Sequence, residues 1–132
     1  MSRYLLDTNH AGLLLNESAP LWTRVHGSVD DAFYLCQPSV GELWYMVFNS
    51  TRVKENRRQL EALLSAFATL NFDADSAMEF GKIQVELRKK GRPIPAIDSQ
   101  IAAIAREQDL ILLTSDGHFA NVDSLRVENW VQ

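Results

Sequence analysis

The chain has 132 residues, 46% of them apolar, with 13 basic and 17 acidic residues and a net charge of −4. That length and apolar share exclude a disordered chain and suit one compact domain spanning 1–132. The acidic balance argues against a general nucleic-acid coat, no apolar run nears the roughly 20 residues needed to cross a membrane, and a lone cysteine, Cys36, excludes an internal disulfide or a multi-thiolate metal site.

In chain order, RYLL (3–6) predicts a short buried strand, and the start at RYLLDTN, with no secretory h-region, predicts a cytoplasmic protein. AGLLLN predicts a helical segment ending near Asn16, and PLWTRVH a short helix entered at Pro20. AFYLCQ predicts a second buried strand ended by Pro38, with Cys36 as a buried structural thiol. SVGELWYMVFNS predicts a helix from Ser39, and VKENRRQLEALLSAFATL a longer amphipathic helix with Leu60, Leu63, Leu64 and Phe67 on one stripe. NFD is a minimal strand. DSAMEFGKIQVELRKKG predicts a helix with Met78, Ile83 and Leu87 facing inward and Gly91 just past its end. An apolar helix over 97–108, a strong strand LILLT and a last strand LRVENW complete the chain. Alternating strands and helices predict a three-layer α/β sandwich around a short, mainly parallel sheet, in which ligands bind beyond the carboxyl ends of the strands.

Four carboxylates stand out against this pattern. Asp7 follows the first strand, Glu42 lies one turn into the helix after the second, Asp98 opens the apolar helix, and Asp116 follows LILLTS. Each has an ordinary structural explanation. Asp7 and Asp98 suit helix N-caps, Ser39 and Glu42 match a capping box, and Asp116–Gly117 is a common turn pair. Together they occupy positions that a parallel sheet brings to one edge. Gathered carboxylates repel unless a cation neutralises them, and oxygen ligands alone select a hard cation, Mg²⁺ or Mn²⁺.

The pieces YLLDTN, PSVGELWYM, GRPIPAIDSQIAAIA, LILLTSDGHF and LRVENW, in this order and over nearly the whole chain, resemble the PIN-domain ribonucleases that serve as VapC toxins of bacterial VapBC toxin–antitoxin pairs. The resemblance implies a Mg²⁺- or Mn²⁺-dependent endoribonuclease with Asp7, Glu42, Asp98 and Asp116 as metal-binding acids. It marks Asn9, Ser39 and Thr114 as polar support, and Phe119 as the aromatic that follows the last acid. It also implies an RNA substrate, a VapB-like antitoxin and a homodimer. Two departures are the bulky Met46, where a small residue is usual, and Gly117, which loosens the last acidic loop.

Other chemistries fit less well. A haloacid-dehalogenase-type phosphatase needs an acid where Asn9 stands, and a phospho-acceptor receiver wants a Lys after the late strand. His10, His26 and His118 raise metal-free RNase chemistry, and a catalytically silent RNA- or protein-binding scaffold is the remaining alternative. Two basic clusters, Arg52, Lys54, Arg57 and Arg58, and Arg88, Lys89, Lys90 and Arg92, read either as solvated helix faces or as phosphate contacts. Trp44, Tyr45 and Phe48 cannot all face one core from a single helix. They predict core plus a dimer contact, or a groove for an antitoxin helix.

Overall fold

The computed structural model describes residues 1–131. Five strands, β1 (Arg3–Leu6), β2 (Ala32–Cys36), β3 (Ala68–Leu70), β4 (Ile111–Leu113) and β5 (Val127–Glu128), form one sheet in the order β3-β2-β1-β4-β5. Every pairing is parallel, with Leu5 opposite both Tyr34 and Leu112. Among the described residues, six α-helices cover it: α1 (Thr8–Leu13), α2 (Pro20–Gly27), α3 (Gln37–Phe48), α4 (Val53–Ala66), α5 (Ala74–Lys90) and α6 (Ala96–Glu107).

β1, β4 and the end of β2 are buried on both faces, so their alternate residues serve opposite cores. Tyr4, Leu6, Leu35, Ile111 and Leu113 meet Leu14 just after α1 and Val25, Val40, Leu43 and Leu60 from α2–α4. Leu5, Cys36 and Leu112 meet Ile83 and Leu87 of α5 and the run Ile101, Ala102, Ala103, Ile104 and Ala105 of α6. The three alanines are fully buried and let α6 approach the sheet closely. Cys36 is the expected structural thiol, its pKa pushed up by burial.

The mainly parallel α/β sandwich is as expected; several boundaries are not. The third strand is Ala68–Leu70, not NFD. Phe67 is already extended, and pairing of Ala68 and Leu70 with Tyr34 and Cys36 overrides the helical propensity of the preceding run. The first helix starts at Thr8, because Asp7 caps it. α3 starts at Gln37 with Pro38 inside its first turn, where the ring does no harm. The Ser39–Glu42 capping box is therefore absent: Cys36 is the N-cap and the Ser39 hydroxyl donates to the Cys36 carbonyl at 3.1 Å. Asp98 is not an N-cap either; Pro95 holds that position and Asp98 is the third residue of α6. Met78 is 59% exposed, since the buried stripe of α5 runs through Ser76, Ile83 and Leu87 and Met78 falls off it. Among the described residues, no helix is long and apolar enough to cross a membrane.

Candidate metal-dependent active site

Strand order reverses at β1. The chain moves outward through β2 to β3, then returns across the sheet through α5 and α6 to lay β4 on the other side of β1. At such a switch point the connections leave in opposite directions and open a crevice at the carboxyl ends of the strands. A cleft of about 720 Å³ lies there, with Asp7, Glu42, Asp98 and Asp116 all in its wall. Asp7 arrives from β1, Glu42 from the helix after β2, Asp98 from the N-terminal turn of α6, and Asp116 from the loop after β4.

Local structure fixes each acid differently. Asp7 Oδ1 accepts the His10 backbone N–H at 2.8 Å, so one oxygen caps α1 while the carboxylate stays in the cleft wall. The Thr8 hydroxyl donates to Glu42 Oε1 and ties α1 to α3. Thr114, buried, accepts the Asp116 backbone N–H on its hydroxyl at 3.0 Å and shapes the last acidic loop. Ser39 is buried but bound back to Cys36, so it supports the helix start rather than the cleft. Asn9 lies at the exposed rim.

Burial pushes the Asp98 carboxyl above its ordinary range; the nearby His118 imidazole pulls it down, and the charges of Glu42 and Asp116 add to the rise. Among the described residues lining the cleft, none is Lys or Arg. Converging carboxylates without a resident basic side chain fit a divalent cation, which their oxygens suit. Asp7, Glu42, Asp98 and Asp116 are the residues that would hold it.

Three features escaped the sequence reading. Thr8 sits inside the motif DTN, yet its bond to Glu42 spans 34 residues. Gln37 and Gln100 line the cleft as neutral donors. His118 enters as a neighbour of the acids: Nε2 is 3.0 Å from Asp98 Oδ2 and Nδ1 is 3.7 Å from Asp116 Oδ1. Its closeness to Asp116 in sequence was visible; its reach to Asp98 was not. None of the three histidines lines the cleft itself. His10 is fully buried behind Asp7, and His26 stacks on Trp22 with centroids 3.9 Å apart. The basic clusters are partly absorbed by surface pairs, Arg57–Glu61 and Lys90–Asp123 among them. On α3, Trp44 packs against the core and stacks on Phe48, while Tyr45 and Phe48 are 69% and 59% exposed.

Comparison with known proteins gives the family. The chain matches the PIN domain family over residues 4–125. It is 35% identical to Ribonuclease VapC2 of Haemophilus influenzae, covering 99% of this chain and 100% of that protein. It is 32% identical to the tRNA(fMet)-specific endonuclease VapC of Shigella flexneri, covering 98% and 99%. Among solved structures, VapBC2 from Rickettsia felis bound to a promoter DNA fragment superposes with a TM-score of 0.91 at 25% identity, over 97% of this chain and 98% of that one. DNA-bound VapBC from Salmonella typhimurium gives 0.90 at 26%, over 98% and 99%. The parallel sheet, the acidic cleft at its switch point and a family match over most of the chain's length lead to one conclusion: this chain belongs to the PIN domain family and is a VapC-like nuclease.

Proposed function

We propose that the chain, acting as one nuclease domain over 1–132, is the cytoplasmic toxin of a VapBC-type pair and hydrolyses RNA phosphodiester bonds with Mg²⁺ or Mn²⁺. The observation that carries this reading is the meeting of Asp7, Glu42, Asp98 and Asp116 in one cleft that no basic side chain lines. A bound divalent cation would neutralise charge on the phosphate and lower the pKa of a coordinated water. The chain's own residues do the positioning. The α1 cap fixes Asp7, Thr8 fixes Glu42, and Thr114 shapes the loop that carries Asp116. Asp116, the more exposed of the acids flanking His118, would hold a second metal or orient water. Tyr45 and Met46 form an apolar wall and Asn9, Gln37 and Gln100 offer polar contacts to a ribose–phosphate strand. Water attack, rather than attack by the ribose 2′-hydroxyl, leaves a 5′-phosphate and a 3′-hydroxyl.

The VapBC neighbours support a VapB-like antitoxin as partner. We place its anchor on the exposed face of α3, at Tyr45 and Phe48, beside the wall that carries Glu42. An antitoxin Arg would suit the acidic cleft, because guanidinium is permanently charged and pairs with carboxylates bidentately. A homodimer is the proposed assembly of the toxin. The deciding experiment is RNA cleavage with Mg²⁺ or Mn²⁺, with and without EDTA, and end-group analysis of the products. Activity that survives EDTA, or 2′,3′-cyclic phosphate ends, overturns the reading.

A further inference from the structure

His118 sits on a short 3₁₀ turn, Gly117–Asn121, anchored in the core by the buried ring of Phe119. Its imidazole leans on that ring, with centroids 4.8 Å apart. The anchor sets both ring nitrogens near acids: Nε2 is 3.0 Å from Asp98 Oδ2, Nδ1 is 3.7 Å from Asp116 Oδ1, and one donor atom from each of the three residues lies within 4.8 Å of the others. Although Nε2 is this close to a carboxylate and shut away from solvent, it makes no aligned hydrogen bond. An ion pair or hydrogen bond formed for its own sake would point the N–H at the oxygen. Two ligands of one cation behave otherwise. With metal–ligand bonds of about 2.1 Å, neighbouring ligands stand roughly 3 Å apart, each aimed at the shared centre rather than at the other.

We infer that His118 is a nitrogen ligand of the metal site, and that it tilts the cleft toward transition-metal ions over Mg²⁺. The inference rests on the proposed metal-dependent reading and adds a specificity-determining residue to it. Mg²⁺ prefers oxygen ligands and retained waters, whereas imidazole favours first-row transition metals, increasingly so from Mn²⁺ to Co²⁺ and beyond. The tautomer with its proton on Nδ1, toward Asp116, leaves the Nε2 lone pair free for the metal beside Asp98.

The test is metal binding without RNA. Mg²⁺, Mn²⁺ and Co²⁺ are titrated into wild type, His118→Ala and His118→Gln, with circular dichroism confirming that the variants fold. His118 lies on a surface turn, and Phe119, which anchors that turn, is untouched. Both variants should lose roughly tenfold or more in Mn²⁺ and Co²⁺ affinity and less than about twofold in Mg²⁺ affinity. Pulsed EPR of Mn²⁺-loaded wild type should show an imidazole nitrogen coupling that changes on ¹⁵N-histidine labelling and vanishes in both variants. Equal losses for all three metals would make His118 only a support for Asp98 and overturn the inference. So would unchanged or tighter binding, the signature of a counter-ion that metal must displace. Wild type that binds none of the metals would overturn the metal reading as well, so the two failures are distinct.

Discussion

Asp7 and Asp98 are carboxylates in one wall held for different reasons, and their substitutions should separate accordingly. Asp7 caps α1 through Oδ1, whereas Asp98 has no capping role and is half-buried among like charges. Asparagine caps nearly as well as aspartate, so Asp7→Asn removes charge and keeps the cap. Both Asp7→Asn and Asp98→Asn should slow RNA cleavage by about a hundredfold or more, since each deletes ligand charge where transition-state charge develops. Without metal, Asp98→Asn should melt higher than wild type because the buried charge is gone, and Asp7→Ala should cost about 1 kcal/mol by losing the cap. Comparative melts and single-turnover cleavage check this; full activity in either Asn variant would remove that residue from the site. Thr8 belongs to the same scale. Thr8→Val leaves the Glu42 carboxylate untethered and should weaken metal affinity by about tenfold, with Thr8→Ser restoring it, as expected for a residue that orients a ligand. Equal affinities for wild type and Thr8→Val would show that Glu42 needs no such tether.

Among the elements, α5 shows what sequence patterning reveals. Asp73 accepts the Ser76 backbone N–H and hydroxyl at its start, and Gly91 takes the left-handed conformation at its end, with φ 66°. Gly91 was readable as a helix stop because a residue with a Cβ resists that conformation. The bonds from Ser76, backbone first and hydroxyl second, hold the Asp73 carboxyl below its ordinary 3.8. A depressed folded pKa means that this stabilisation is present above pH 3.8 and lost as pH falls through the folded value. The melting-temperature gap between wild type and Asp73→Ala should therefore be widest near neutrality and close on acidification below that range. A gap that stays constant with pH would mean the cap is not acting through the ionised carboxylate. Other boundaries were less legible, for the same physical reason each time. Leu70 pairs into the sheet because Cys36 is beside it, Pro38 sits in a helix because Cys36 caps it, and Met78 faces water because α6 lies against a different stripe. Local propensity is silent about such partners.

At the scale of the molecule, the four acids were found in the sequence because each follows a strand or opens a helix, and a parallel sheet sends such positions to one edge. What holds them was not legible, because it depends on contacts across long stretches of chain. The longest joins the C-terminal segment to Asp7. Trp130 packs on Tyr4 and Phe33, with centroids 4.9 and 5.6 Å apart, and lies under the Arg24 guanidinium at 3.8 Å. Its backbone N–H donates to His10 Nε2 at 3.3 Å. Nε2 therefore accepts, and Nδ1 stands 3.3 Å from Asp7 Oδ1 without an aligned hydrogen bond. The tail thus bonds to a ring whose other nitrogen packs against a cleft acid. Two substitutions split the two contacts, since an Asn amide takes the place of Nδ1 beside Asp7 and a Gln carbonyl takes the place of the Nε2 acceptor. His10→Asn should keep metal affinity close to wild type while speeding hydrogen exchange at the Trp130 amide. His10→Gln should protect that amide and weaken metal binding by roughly tenfold, as loss of a residue that orients a ligand does. Trp130→Ala should lower the melting temperature through lost aromatic packing and free the same imidazole. If His10→Asn and His10→Gln shift both readouts alike, the ring is core filling and the tail has no connection to Asp7.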